Sequence, residues 1–116
     1  MNNDNQATEI FLTRIENNDH PFSETLDYID KHYVFSASAF TNGALDNSSD
    51  QNQGSCRVLA LASLLKLTTE QTLRCFGEHY RDVLASPDGD SHQNIRQLQH
   101  HGMEAVRFEH FPLRTK

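Results

Sequence analysis

After a polar, Asn-rich start, apolar residues first recur near helical spacing at Ile10, Phe11 and Ile15. The pattern predicts a disordered leader over residues 1–6 and a helix that opens at Ala7 or Thr8 and fades in Asn17-Asn18-Asp19. Leu26, Ile29 and Tyr33 repeat on one face after Pro21, so a second helix is expected, with Ser23 as its N-cap and Glu24 and Asp27 in its early turns. From Val34 to Thr41 the residues turn β-branched, aromatic and small, anchored by Phe35 and Phe40, and Asn42-Gly43 follows. Asn-Gly enters positive φ at low cost, which predicts a tight hairpin turn into Ala44-Leu45-Asp46.

The stretch Asn47 to Gly54 has no apolar residue and is expected to be a surface loop, a common place for function. Cys56 to Leu67 is the most apolar segment; Arg57, Ser63 and Lys66 are too few to make a broad wet face, so it reads as a buried central helix. Thr69 is placed to cap a short helix, Glu70 to Phe76, that stops at Gly77. Tyr80, Val83 and Leu84 suggest another helical turn before Pro87-Asp88-Gly89. Ile95 and Leu98 mark a polar-faced helix from about Ser91 to His101, ended by Gly102 and followed by a strand, Ala105 to Phe108. The expected fold class is α+β: about five helices packed on a small antiparallel or mixed sheet of about three strands, with a buried central helix near residues 55–67.

A chain of 116 residues is the usual size of one domain, here residues 7–116. Its two cysteines and the absence of a basic-then-apolar start predict a cytoplasmic protein with reduced thiols. The longest apolar run, Val58 to Leu65, is far short of a bilayer span, so no membrane partner is expected. A formal net charge of −6 with scattered basic residues argues against nucleic acid.

Cys56 is the sharpest candidate for chemistry. Gly54-Ser55 ends the loop where the central helix begins, and a thiol in a first turn is stabilised as thiolate by free N–H groups and the helix dipole. Arg57 adds a positive charge. A base is then required, and His79 with Asp82, or His92 with Asn94, can supply it. The competing reading makes Cys56 a small buried apolar residue. Cys75 and His79 are four apart, but Gly77 between them breaks the helix and no second pair completes a site, so no metal ligands are assigned. In the segment PDGDSHQNIR, Asp90 or Ser91 is expected to N-cap the next helix, whose His92 and Arg96 share a face while Asn94 points elsewhere. Arg96 can alternatively pair with Asp88. Arg81 and Asp82 fit an internal ion pair as readily as a site. The remaining histidines, His20, His32, His100, His101 and His110, are expected at the surface.

The stretches YVFSASAFTNG (33–43), NQGSCR (52–57), LRCFGEHYRDVL (73–84) and PDGDSHQNIR (87–96) resemble the HopJ type III effector family. The chain departs from the family pattern at Gly102-Met103-Glu104 and at Leu98, changes that read as repacking of one core corner. The resemblance implies no enzymatic activity, no cofactor and no host target, because none is attached to the family as a whole. It leaves open secretion through a type III system.

Two functions compete. The favoured one is a binding or interaction module, for a small molecule or a protein partner, whose ligand-binding candidates are Asn42, Asn52, Ser55, Arg81, Asp82, Asn94 and Arg96. The alternative is a thiol-dependent hydrolase or acyl transferase with Cys56 as nucleophile and His92 or His79 as base. Both place NQGSC and PDGDSHQNIR together in space, and the reach of Cys56 to an imidazole and to solvent separates them.

Overall fold

A computed structural model describes residues 3–116, with side chains from Gln6 onward. The order of elements is α1 (Asn3–Ile15), α2 (Phe22–His32), β1 (Tyr33–Phe35), β2 (Phe40–Asn42), β3 (Leu45–Asn47), α3 (Gln53–Leu65), α4 (Thr69–Arg74), α5 (Glu78–Ala85), α6 (Gln93–His101), a 3-10 turn (Gly102–Ala105), β4 (Val106–Phe108) and β5 (Leu113–Thr115). The fold is α+β, as the pattern predicts. The strands form two antiparallel sheets rather than one: β3-β2-β4, and a separate pair of β1 with β5. Residues 1–2 of the expected leader lie outside the described residues, and from Asn3 the backbone is already helical.

α3 is the buried element the sequence announces, with Cys56 and Val58 to Ala62 at most 1 % exposed. It begins three residues earlier than expected, because Asn52 takes a left-handed conformation (φ 53°, ψ 39°) and turns the chain into the helix before the apolar run starts. Ile29, Leu73, Val83, Ile95 and Leu98 pack in the same core from the surrounding helices, and Phe76 from the turn between α4 and α5.

Helix starts elsewhere are decided by partners distant in sequence. Ser23 does not cap α2, which starts at Phe22 after Pro21; the Phe22 N–H is taken by the Glu78 carboxylate at 2.8 Å. That hydrogen bond holds the Glu78 carboxyl below its usual value. α4 is capped one residue before the expected Thr69: Thr68 accepts from the Gln71 N–H, and the Gln71 side chain accepts from the Thr68 N–H. The hairpin forms where Asn-Gly predicts, with Asn42 opposite Leu45 and positive φ at Gly43. Phe40 is buried in it and Phe35 is half-buried.

His20, expected at the surface, is buried. Thr25 Oγ1 donates to the Cys75 carbonyl at 2.7 Å and so must accept from His20 Nε2 at 2.8 Å. Nε2 therefore carries a proton, and burial pushes the His20 pKa down despite Glu24, whose carboxylate lies 3.6 Å from Nδ1.

Gly77 holds the tightest backbone approach. It has φ +58°, and a Cβ there would stand 2.4 Å from Phe22 N and 2.8 Å from His20 O. Because those atoms are backbone and cannot swing away, Gly77→Ala is expected to cost about 2 kcal/mol or more, read as a lowered urea midpoint. A pH effect follows from His20. With the folded pKa below the unfolded value of about 6.5, the unfolded chain binds the extra proton first, so stability is full above that pH and falls as pH drops through it. In His20→Gln, whose amide can still donate to Thr25, this part of the slope between pH 7 and 5 should vanish from urea titrations.

Candidate functional site

Four asparagines tie the loop, the hairpin and α6 together. Asn42 Nδ2 donates to the Asn94 backbone carbonyl at 2.9 Å and to Asn94 Oδ1 at 3.0 Å. Asn47 Oδ1 accepts from Asn94 Nδ2 at 3.0 Å and from Asn52 Nδ2 at 2.7 Å. NQGSC and PDGDSHQNIR thus meet across a single shared oxygen, although Asn52 and Asn94 are 42 positions apart (94 − 52). Asn42, Asn47 and Asn94 are all at most 5 % exposed, and buried amides must be paired, so their first task is structural. The sequence pattern places Asn47 at the start of a surface loop, whereas the structure buries it at the end of β3. Its neighbours there are polar, and only its distant partners show that it is covered.

This joint brings two helix N-termini side by side along a cavity of about 540 Å³. Asn52, Gly54 and Ser55 at the start of α3 line it, as do His92, Gln93 and Asn94 at the start of α6, with His79 from α5 and an apolar wall of Phe22, Leu45, Phe76 and Ile95. Neither helix has a side-chain cap, and both N-caps, Asn52 and His92, are left-handed. Asp90 and Ser91, the expected caps of α6, lie outside it; the left-handed His92 (φ 55°, ψ 52°) opens the helix at Gln93 instead. A Cβ on Gly54 would stand 3.2 Å from the Phe22 ring, so glycine there lets Phe22 form the wall. Phe22 stacks parallel to Phe76 at 6.0 Å and meets the His79 ring edge-on at 4.9 Å. Sequence patterning marked none of these apolar wall residues as functional, since each also suits a core.

The basic candidates are committed elsewhere. Arg96 does not pair with Asp88; it donates to the Ser91 carbonyl, to Pro87 O at 3.2 Å and to Ser86 O at 3.0 Å, holding the PDGDS turn closed. Arg81 donates to His20 O at 3.0 Å rather than to Asp82. Asp82 instead faces His92, Oδ2 to Nε2 3.6 Å, and the His79 and His92 rings lie 5.1 Å apart. The two histidines that the sequence offered as alternative bases therefore stand together.

Cys56 is not with them. It is fully buried, its sulfur 3.8 Å from the Ser38 carbonyl, and burial pushes its thiol up to about 11. The direction is opposite to the sequence expectation. Desolvation outweighs the charge of Arg57, which favours the thiolate. Arg57 itself lies over the Phe35 ring, 3.9 Å from its centroid. Cys75 is also fully buried and is pushed up to about 12.

The HopJ type III effector protein family matches residues 8–113. No curated protein matches the chain. Among solved structures, the crystal structure of the unknown function protein VPA0580 is similar at 39% sequence identity, covering 93% of this chain and 92% of that one with a TM-score of 0.86. The chain belongs to the HopJ family.

Burial of both thiols gives a direct expectation. In native protein at pH 7.5, iodoacetamide should modify neither Cys56 nor Cys75, and both should react in urea; peptide mass spectrometry reads each site separately.

Proposed function

We propose that this member of the HopJ family is a binding module whose cavity takes a small ligand with an anionic group and an apolar ring. The observation that carries this reading is the cavity's lining: it contains no Asp or Glu, although the chain has 16 acids and a net charge of −6. In their place stand the positive ends of α3 and α6, and exposed first-turn N–H groups with a favourable dipole are the usual means of holding an anion. Phe22, Phe76, Leu45 and Ile95 offer the apolar part of a ligand a dry wall, and a few hundred Å³ is the size of a small-molecule site. The buried, protonated Cys56 supports binding over thiol chemistry. Two unpaired cysteines suit residence in a reducing cytoplasm, and the family's effector name supports export through a type III system as a further use of the same module.

The test is a titration of ¹⁵N-labelled protein with phenylphosphonate, benzoate and neutral benzamide. The two anions should shift the amide signals of Gly54, Ser55, Gln93 and Asn94 in a saturable way, and benzamide should bind at least about fivefold more weakly. Ser55→Glu, which sets a negative charge at the cavity, should weaken phenylphosphonate by about tenfold. Shifts scattered over the surface, or equal binding of benzamide, would overturn the reading.

A further inference from the structure

Two histidines that line the cavity, His79 and His92, stand with Asp82, which lies outside the lining, as three side chains that can each ligate a metal. His79 and Asp82 are three apart on α5 and so share a face of that helix. His92 arrives from the N-cap of α6, a different element, with a left-handed backbone that histidine tolerates better than most residues. One ligating atom from each lies within 4.8 Å of the other two.

What separates this trio from the polar residues around it is that it is uncommitted. Among the described residues, Asn94 and Asn52 are used in the asparagine joint, Arg96 closes its own turn, Arg81 holds His20 O and Glu78 holds the Phe22 N–H. The side chains of His79, Asp82 and His92 make only ring contacts and ion-pair approaches: His92 to Asp82 at 3.6 Å, and His79 to Glu78 at 3.9 Å. Bond lengths of about 2.0–2.2 Å to nitrogen and oxygen put neighbouring ligand atoms of a tetrahedral zinc roughly 3.3–3.5 Å apart. The 3.6 Å His92 to Asp82 approach already matches that spacing, and partly exposed side chains can close the remainder by rotation.

We propose that His79, Asp82 and His92 bind a single divalent first-row transition metal ion, such as zinc, through two imidazoles and one carboxylate. Three protein ligands leave the ion at least one open position, and His79 and His92 also line the cavity, so that position lies beside the anion site. The donor set excludes calcium and magnesium as preferred ions, since these favour all-oxygen ligation. Glu78, beside His79, adds a second negative charge that attracts a cation. A metal facing two helix N-termini would strengthen the hold on an anionic group. In that respect the inference rests on the cavity reading, but the metal's own binding does not.

The experiment uses the full chain, freed of metal by dialysis against chelator, and no anionic ligand. Cobalt(II) should give visible d–d absorption that saturates at one equivalent and is abolished by stoichiometric zinc. Asp82→Asn, which is exposed and nearly isosteric, and His92→Ala should each weaken zinc binding at least about tenfold by calorimetry. His100→Ala/His101→Ala, which removes the tandem histidines at the opposite end of α6, should leave it unchanged. Absence of saturable binding at one equivalent, or loss in the tandem variant with retention in Asp82→Asn and His92→Ala, overturns the metal site. Repeating the phenylphosphonate titration on the metal-free protein keeps the two readings apart: if the anion binds and zinc does not, only the metal proposal fails.

Discussion

Buried amides have to be paired, and in this protein that requirement sets the geometry of everything around the cavity. Asn42, Asn47 and Asn94 are removed from water, and leaving one such group unpaired costs about 1–3 kcal/mol. They satisfy one another, with Asn52 added from the loop, and in doing so pin the β2–β3 hairpin to the starts of α3 and α6. Asn42 Oδ1 is the residual cost, with no hydrogen-bond partner among the described residues. Because the joint uses side chains rather than helix caps, the first-turn N–H groups of both helices are not consumed by it.

The polar residues of the site divide by whether the fold has already used them. Arg96, Arg81 and Glu78 look like ligand-binding groups on charge alone, yet each satisfies a backbone group of a turn or helix start. A charge so occupied contributes to shape. His79, Asp82 and His92 have no such employment, and the two histidines stand where a wall of aromatic rings meets two helix ends. That separation between committed and free groups is what turns a polar surface into a candidate site.

The thiol is decided by magnitude. A helix N-terminus stabilises a nearby anion by about 0.3–1 kcal/mol, whereas full burial of a thiolate with no strong donor costs more. For Cys56 burial wins, and its thiol is pushed up to about 11. Starting α3 at Gln53 instead of at Cys56 is part of the reason, since it carries the sulfur past the exposed first turn and into the core.

The sequence by itself determined what local patterns can determine: the α+β class, the apolar run that becomes α3, the Asn42-Gly43 hairpin, the helix break at Gly77 and the stop at Gly102. Each depends on a residue's own backbone preference or on periodicity within a few turns. The family was also legible, in four motif stretches of the chain. Only the tertiary structure decided the separate β1–β5 pairing, the start of α2 against Glu78, the burial of His20, and the meeting of His79, Asp82 and His92. In all of these the deciding partner is remote in sequence. A three-residue strand or a lone histidine carries too little local signal to show which distant group will satisfy it, and that choice is made when the helices pack around α3.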